Sequence, residues 1–367
     1  MIPKYQYIAD DLRTKIIKKE FLESNPLPTE AQLQEIYQVS RQTIRQAISL
    51  LVNEQYLYSK RGSGTFINPH RSHSHHTGSK KKNVGVITTY ISDYIFPSII
   101  RGIEEELTQN GYSLFLSSTN NNYEKEEACL KKMIDSHIDG LIVEPTKSNQ
   151  FNPNLPLYLS LKEKGIPIIT INSTYEELDV PSIAIDDTDM CFRATSELIL
   201  NGHKQLLLIT KIDDLQGKKR MKGFLQACEK HKISLSSKSI MTYTTESFDA
   251  IPTEVISALQ ADSSITGIVC YNDLLAKVLI THLALHQYRV PDDISVVSHD
   301  NSYLDLIGDI GLTSMNHPKE KLGHDAAKSI ITAIEDKKQP KGIVYHPDII
   351  RRNSIRSLLS EEHDVSK

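Results

Sequence analysis

From residue 83 onward the chain repeats one unit: a short, almost wholly apolar run rich in β-branched residues, then a segment long enough for a helix. The runs are 84–87, 114–116, 141–143, 168–171, 206–209, 268–271 and 294–297. A strand that is apolar at every position must be covered on both faces, and parallel strands joined by crossover helices satisfy that requirement. The alternation predicts a doubly wound α/β region. No stretch approaches the roughly 20 apolar residues of a membrane-spanning helix.

The tails of those runs are polar or aromatic. They include Tyr90-Ile91-Ser92-Asp93-Tyr94, Ser118-Thr119-Asn120, Glu144-Pro145, Asn172-Ser173, Asn272-Asp273 and Asp300-Asn301. Open α/β sheets bind ligands outside the carboxyl ends of their strands. A cleft walled by carboxylates, amides and aromatic faces suits a polyhydroxylated molecule, whose hydroxyls pair with the polar groups while its ring packs on a Tyr or Phe face.

The first 82 residues have a different character. At 367 residues the chain has room for two or three domains. Its net charge of −4 argues against a nucleic-acid partner only when taken whole. Up to Lys82 there are 13 basic and 7 acidic residues, and beyond it 29 and 39, so a module of +6 precedes one of −10. Residues 69–82 are rich in Ser, His, Gly and Lys without apolar periodicity, and read as a flexible linker between a domain at 1–68 and one at 83–358. His70, His73, His75 and His76 lack the partners that fix a coordination geometry, so no metal site is expected there.

Within the basic module, Thr29-Glu30-Ala31-Gln32 is a capping-box sequence that starts a short helix, with Leu33, Ile36 and Tyr37 expected on one face. Ser40 is a good N-cap for a second helix, stapled by Val39 and Ile44. There Ile44, Ala47, Ile48 and Leu51 make the buried stripe, while Arg41 and Arg45 project elsewhere with Gln42 and Gln46. Two helices joined by a tight turn, with Arg and Gln near the start of the second, form a helix-turn-helix that enters the major groove N-terminus first. Arg fits guanine O6 and N7, and Gln can pair with adenine. Tyr56 to Ile67 reads as a hairpin wing with a basic tip at Arg61.

Pro28-Thr29-Glu30, the run Val39-Ser40-Arg41-Gln42-Thr43-Ile44-Arg45-Gln46-Ala47, and Gly62-Ser63-Gly64-Thr65-Phe66 together resemble the GntR-family winged helix-turn-helix. The resemblance implies that Glu30, Arg41, Gln42, Thr43 and Arg45 face operator DNA, with Arg61 close to it and Lys4 placed for a phosphate. Glu30 also suits the dipole of its own helix N-terminus.

Residues 83–358 are similar to the LacI-type effector-binding domain, a two-lobed fold related to periplasmic sugar-binding proteins. The likeness rests on His137-Ile138-Asp139-Gly140-Leu141-Ile142, Arg220-Met221-Lys222-Gly223-Phe224, Cys270-Tyr271-Asn272-Asp273 and Val290-Pro291-Asp292-Asp293-Ile294, continuing to Asp300. It implies hydroxyl recognition by Arg220, Asn272 and Asp300, with Asp93, Tyr94 and Phe96 over the ligand. Glu144, Asn172 and Asp186 are candidates by strand-end position alone. A GntR-type reader on a LacI-type sensor resembles the arabinose-responsive repressors of Gram-positive bacteria, including the run from Thr88 to Pro97. That resemblance implies L-arabinose as effector and a homodimer on double-stranded DNA; the residues by themselves imply only a small polyol.

An enzyme on this scaffold is not expected. The chain has no G-x-G-x-x-G after its first strand, no G-x-x-x-x-G-K-[ST] and no G-x-S-x-G, and no cofactor is implied. Four widely spaced cysteines and the absence of an apolar leader predict a cytoplasmic protein with reduced thiols.

Overall fold

The computed structural model describes residues 4–17, 20–21, 27–53, 56–60, 64–67 and 82–359. It falls into two units that part between Lys80 and Lys81. The wing tip with Arg61, residue 68 and residues 69–81 of the expected linker lie outside the described residues.

The first unit contains helices α1 (Lys4–Ile17), α2 (Glu30–Tyr37) and α3 (Arg41–Asn53), followed by strands β1 (Leu57–Lys60) and β2 (Gly64–Ile67). The capping box forms as the sequence dictates: the Gln32 amide donates to Thr29 Oγ1 at 3.4 Å, and Gln32 Oε1 accepts from the Thr29 amide at 2.9 Å. Helix α2 ends on Gln38 in the left-handed conformation, which turns the chain sharply toward α3. Ser40 then caps α3, its Oγ accepting from the Thr43 amide at 3.3 Å. Ile44, Ala47 and Leu51 are buried against Ile8, Leu12 and Leu33. Burying a Leu or Ile is worth roughly 1.5–3 kcal/mol, so this stripe fixes the rotation of α3 and with it the outward face. Ile36 departs from expectation at 59% exposed. Leu33 and Tyr37, four residues apart, take the core face, and Ile36 falls beside it. The strands pair antiparallel, Leu57 opposite Ile67 and Tyr58 opposite Phe66, with those two rings stacked at 5.7 Å.

The second unit is two six-stranded sheets. One has the order β15-β7-β6-β5-β3-β4 and the other β16-β14-β11-β10-β8-β9. All pairings within them are parallel except β14 with β16. The first sheet uses β3 (Lys82–Thr88), β4 (Tyr112–Ser118), β5 (Gly140–Val143), β6 (Ile168–Ile171), β7 (Ser182–Ile185) and β15 (Ile343–Tyr345). The second uses β8 (Leu206–Lys211), β9 (Ile240–Tyr243), β10 (Gly267–Cys270), β11 (Ser295–Asp300), β14 (Thr313–Asn316) and β16 (Ile349–Ile350). A small hairpin, β12 (Leu306–Ile307) with β13 (Ile310–Gly311), lies beside the second sheet. Strands β5, β6 and β10 are buried at every residue, as their almost wholly apolar sequences require. Lys82, read as the last linker residue, is instead the first residue of β3.

Each sheet carries its own helices. In the first lobe these are α4 (Phe96–Gln109), α5 (Tyr123–Asp135), α6 (Leu155–Glu163) and α11 (Lys319–Asp336); in the second, α7 (Asp187–Leu200), α8 (Leu215–Lys230), α9 (Ile251–Ala261) and α10 (Asp273–Leu285). The chain therefore crosses between lobes three times: from β7 to α7, from β14 through His317-Pro318 to α11, and from β15 to β16. One glycine is demanded by a close approach. A Cβ on Gly217 would come within 1.6 Å of the Lys211 carbonyl oxygen, so only glycine lets α8 start against the end of β8.

Candidate functional site

On the first unit, the outward face of α3 is organised by Glu30. Its carboxylate accepts from Arg41 Nε at 2.7 Å and from Arg45 Nε at 2.9 Å. These bonds hold the Glu30 carboxyl below its usual range. A guanidinium bonded through Nε keeps four N–H donors on its terminal nitrogens, the fork that reads a guanine edge. Both arginines and Gln42 are exposed. Lys4 is exposed at the start of α1. Thr43 is turned partly inward, with Oγ1 2.8 Å from Ser40 Oγ.

On the second unit, a cavity of about 330 Å³ opens between the lobes at the carboxyl ends of the strands. Eight of the nine expected residues line it: Asp93, Tyr94, Phe96, Glu144, Asn172, Arg220, Asn272 and Asp300. Asp186 is a correction. Its Oδ1 accepts from the amides of Thr188 and Asp189 at 3.1 and 3.0 Å, so it caps α7 and does not line the cavity. A strand end followed by a helix start favours exactly such a capping carboxylate, and position alone does not separate that role from ligand binding.

The lobes meet across the cavity through several bonds. Tyr94 OH donates to Asp300 Oδ2 at 2.5 Å and accepts from the Asp273 amide at 3.1 Å. Asn121 Nδ2 donates to Thr245 Oγ1 at 2.7 Å, and the Leu215 amide donates to Ser148 Oγ at 2.9 Å. Tyr94, Asn172 and Asp300 have φ of 62°, 61° and 100°. Left-handed backbone at non-glycine residues costs free energy and concentrates where a side chain must be aimed.

Arg220 is buried within the second lobe. Nε donates to Asp187 Oδ1 at 2.9 Å, NH2 lies 3.7 Å from Asp300 Oδ1, NH1 donates to the Tyr271 carbonyl, and the guanidinium stacks 4.6 Å from the Tyr271 ring centre. Burial acts to raise the Asp300 carboxyl, but Arg220, His317 and Tyr94 outweigh it and hold it below its usual range. Burial pushes Asp187 up to about 6 despite the same arginine. Glu144 is also pushed up by burial, against bonds from Thr89 and from Asn172 Nδ2 at 2.8 Å. Asn272 caps α10, its Oδ1 accepting from the Leu275 amide at 2.9 Å, and it also lines the cavity.

Among the lining residues that escaped the sequence reading are Lys211 and Asp214. Lys211 Nζ sits 2.8 Å from Asp214 Oδ2 and 3.6 Å from Asp213 Oδ1. The signal was present, since Lys211-Ile212-Asp213-Asp214 is the polar tail of the apolar run at 206–209. The cavity is thus rich in acceptors, and its two cations are engaged by carboxylates. Among the described residues, Glu105, Glu320 and His324 form a group of potential metal ligands. They lie apart from the cavity, where His324 already faces Glu105 and Glu106 at 3.4 and 3.6 Å. No described helix is long and apolar enough to cross a membrane.

Residues 4–67 match the family described as bacterial regulatory proteins, gntR family, and residues 81–354 match periplasmic binding proteins and sugar binding domain of LacI family. An arabinose metabolism transcriptional repressor of Halalkalibacterium halodurans is 41% identical over 99% of both chains. A repressor of the same description from Geobacillus stearothermophilus is 39% identical over 97% of this chain and 99% of its own. Among solved structures, the transcription regulator CcpA of Lactococcus lactis superposes with a TM-score of 0.67 at 24% identity, over 76% of this chain and all of that one.

Proposed function

This chain belongs to the family of arabinose metabolism transcriptional repressors, with a GntR-type reader and a LacI-type sensor, and from that premise we propose that L-arabinose in the interlobe cavity releases it from its operator. It is a DNA-binding regulator and not an enzyme. The observation that carries the ligand assignment is the chemistry of the cavity. Asp93, Glu144, Asp214 and Asp300 offer acceptors, Asn172 and Asn272 offer amides, and Lys211 and Arg220 are bound to carboxylates. Such a site favours an uncharged polyol over a sugar phosphate or sugar acid, whose anionic group would meet carboxylates with no cation to spare. The volume suits a small ligand, at the lower end of the roughly 300–1,000 Å³ common for small-molecule sites.

In this reading Arg41, Gln42 and Arg45 read base edges and Lys4, with Arg61 on the wing, contacts the DNA backbone, while Glu30 holds the two arginines in register and Thr43 supports the turn. Two readers of a cytoplasmic homodimer occupy the halves of a palindromic operator. Sugar acts through its different affinity for the DNA-bound and released arrangements, so operator DNA must weaken sugar binding by the same factor. A thermal-shift panel of L-arabinose, D-ribose, D-xylose and a pentose phosphate tests the ligand, because a molecule that binds only the native state raises the midpoint. An anisotropy titration on the promoter region of the arabinose genes tests release. A preferred phosphate ester would overturn the ligand, and operator affinity unmoved by saturating arabinose would overturn the switch.

A further inference from the structure

The second crossing between the lobes, His317-Pro318-Lys319, bonds to sugar-cavity residues on both sides of it. Lys319 is the first residue of α11, in the first lobe, yet its Nζ donates to three carbonyl oxygens: Asp300 at 2.7 Å, Asn301 at 2.9 Å and His317 at 3.1 Å. Asp300 ends β11 in the second lobe and Asn301 follows it, and both have positive φ, 100° and 44°. Two successive left-handed residues turn their carbonyls toward a common point, and the ammonium supplies the charge that holds them there. A lysine at a helix N-terminus opposes the helix dipole. Its half-buried position there is explained by the three carbonyls it satisfies.

His317 works in the opposite direction. It follows β14 of the second lobe, and its Nε2 lies 3.1 Å from Oδ1 of Asn172 in the first. The Asn172 amide nitrogen is committed to Glu144 Oε1 at 2.8 Å, so Asn172 Oδ1 is an acceptor and His317 Nε2 carries the proton. That orientation presents Asn172 and Glu144 to the cavity as a fixed pair. Neither His317 nor Lys319 lines the cavity.

We infer that His317 and Lys319 are positioning residues for effector recognition, Lys319 fixing the strained turn that aims the Asp300 carboxylate and His317 fixing the Asn172–Glu144 pair. This crossing is then a template for the sugar-reading groups of both lobes as well as a tether. The inference rests on the proposal that the cavity binds L-arabinose, and the test separates the two.

The full-length protein and its Lys319→Met, Lys319→Arg, His317→Leu and His317→Gln variants would be titrated with L-arabinose by calorimetry, with the sugar-free melting midpoint recorded for each. Methionine keeps the length of the lysine stem but leaves the carbonyls without a donor, and we expect affinity to fall about tenfold or more. Arginine restores donors and charge, and glutamine can still donate to Asn172, so both should recover most of the affinity. A purely structural role would lower the midpoint of the Met and Leu variants while leaving affinity intact. Arabinose affinity equal to wild type in both variants overturns the inference. Wild type that binds no arabinose overturns the underlying reading instead. Should Lys319→Met fail to fold, Lys319→Gln, shorter and uncharged, carries the same comparison.

Discussion

Tyr94, on the loop after the first strand of one lobe, donates its hydroxyl to Oδ2 of Asp300, at the end of a strand in the other, at 2.5 Å. This bond spans the cavity and engages one oxygen of the carboxylate best placed to accept from a sugar hydroxyl, while Asp300 Oδ1 has no hydrogen-bond partner and faces Arg220 at 3.7 Å. Tyr94→Phe keeps the ring packing and deletes only the hydroxyl. It leaves a buried carboxylate short of one donor, a loss on the order of 1–3 kcal/mol. We expect arabinose binding to weaken by about that amount in calorimetry, with operator affinity in the absence of sugar little changed. An equal loss in both measurements would show that Tyr94 serves folding instead of closure.

The reader offers a contrast between specificity and charge. If Arg45 reads a base edge as proposed, Arg45→Ala should cost about 1–3 kcal/mol of operator affinity and relax discrimination at one position of each half-site. If Lys4 meets a phosphate as proposed, Lys4→Ala should weaken all sequences alike and reduce the slope of log K against log salt by about 1. Anisotropy titrations at several salt concentrations, on the operator and on a scrambled duplex, distinguish the two. The reverse pattern would exchange the assigned roles.

How much of this was legible in the sequence varies with the physics of each part. The reader was legible almost throughout, because capping boxes, staples and helical stripes are local: Thr29, Gln32, Ser40 and Ile44 act within a few residues of one another. The apolar runs were legible as strands for the same reason. Strands β7, β9, β14, β15 and β16 were not, being short and polar like Thr313-Ser314-Met315-Asn316, or only half buried at a sheet edge like Ile343–Tyr345. Their pairing is decided by neighbours far away in the chain. The cavity was legible where a strand tail announced it, and illegible where distant contacts decide. Nothing near Lys319 in sequence reveals that it reaches the carbonyls of Asp300 and Asn301, whereas the Asp186 cap is local and was missed because a strand end before a helix start fits a cap and a ligand contact alike.

Buried histidine makes stability respond to acid. Burial pushes His317 from its ordinary value of 6.5 down to about 4, so the native protein refuses a proton that the unfolded chain accepts. The stability contributed by the neutral ring is present above pH 6.5 and is lost as pH falls toward 4, at about 1.4 kcal/mol per pH unit. Asp187 and Asp273, both pushed up to about 6 by burial, work in the other direction and gain on acidification through that window. Wild-type stability alone therefore mixes opposing slopes, and a variant separates them. His317→Gln has no ring to titrate, so urea melts should show its deficit relative to wild type at pH 7 shrinking by about 2 kcal/mol at pH 5. A deficit independent of pH would mean that the imidazole takes up its proton as readily in the native state as in the unfolded chain, and a deficit that grows on acidification that it is already protonated in the native state.

Asp186 and Glu144 both sit where a strand of the first lobe ends, and they should respond to substitution in opposite ways. Asp186 spends its carboxylate on the amides of Thr188 and Asp189 at the start of α7, outside the cavity. Asp186→Ala therefore removes a helix cap, worth about 1 kcal/mol, and should lower the melting midpoint while leaving arabinose affinity unchanged. Glu144 lines the cavity and accepts from the Thr89 amide and from Asn172 Nδ2 at 2.9 and 2.8 Å. Glu144→Gln keeps the shape but replaces one acceptor oxygen with an NH2 that must face one of these donors. Affinity should then fall about tenfold or more, because a buried donor loses its acceptor. Calorimetry on the two variants under the same conditions decides between them: if Asp186→Ala loses affinity and Glu144→Gln keeps it, the sugar lies nearer the start of α7 than Glu144.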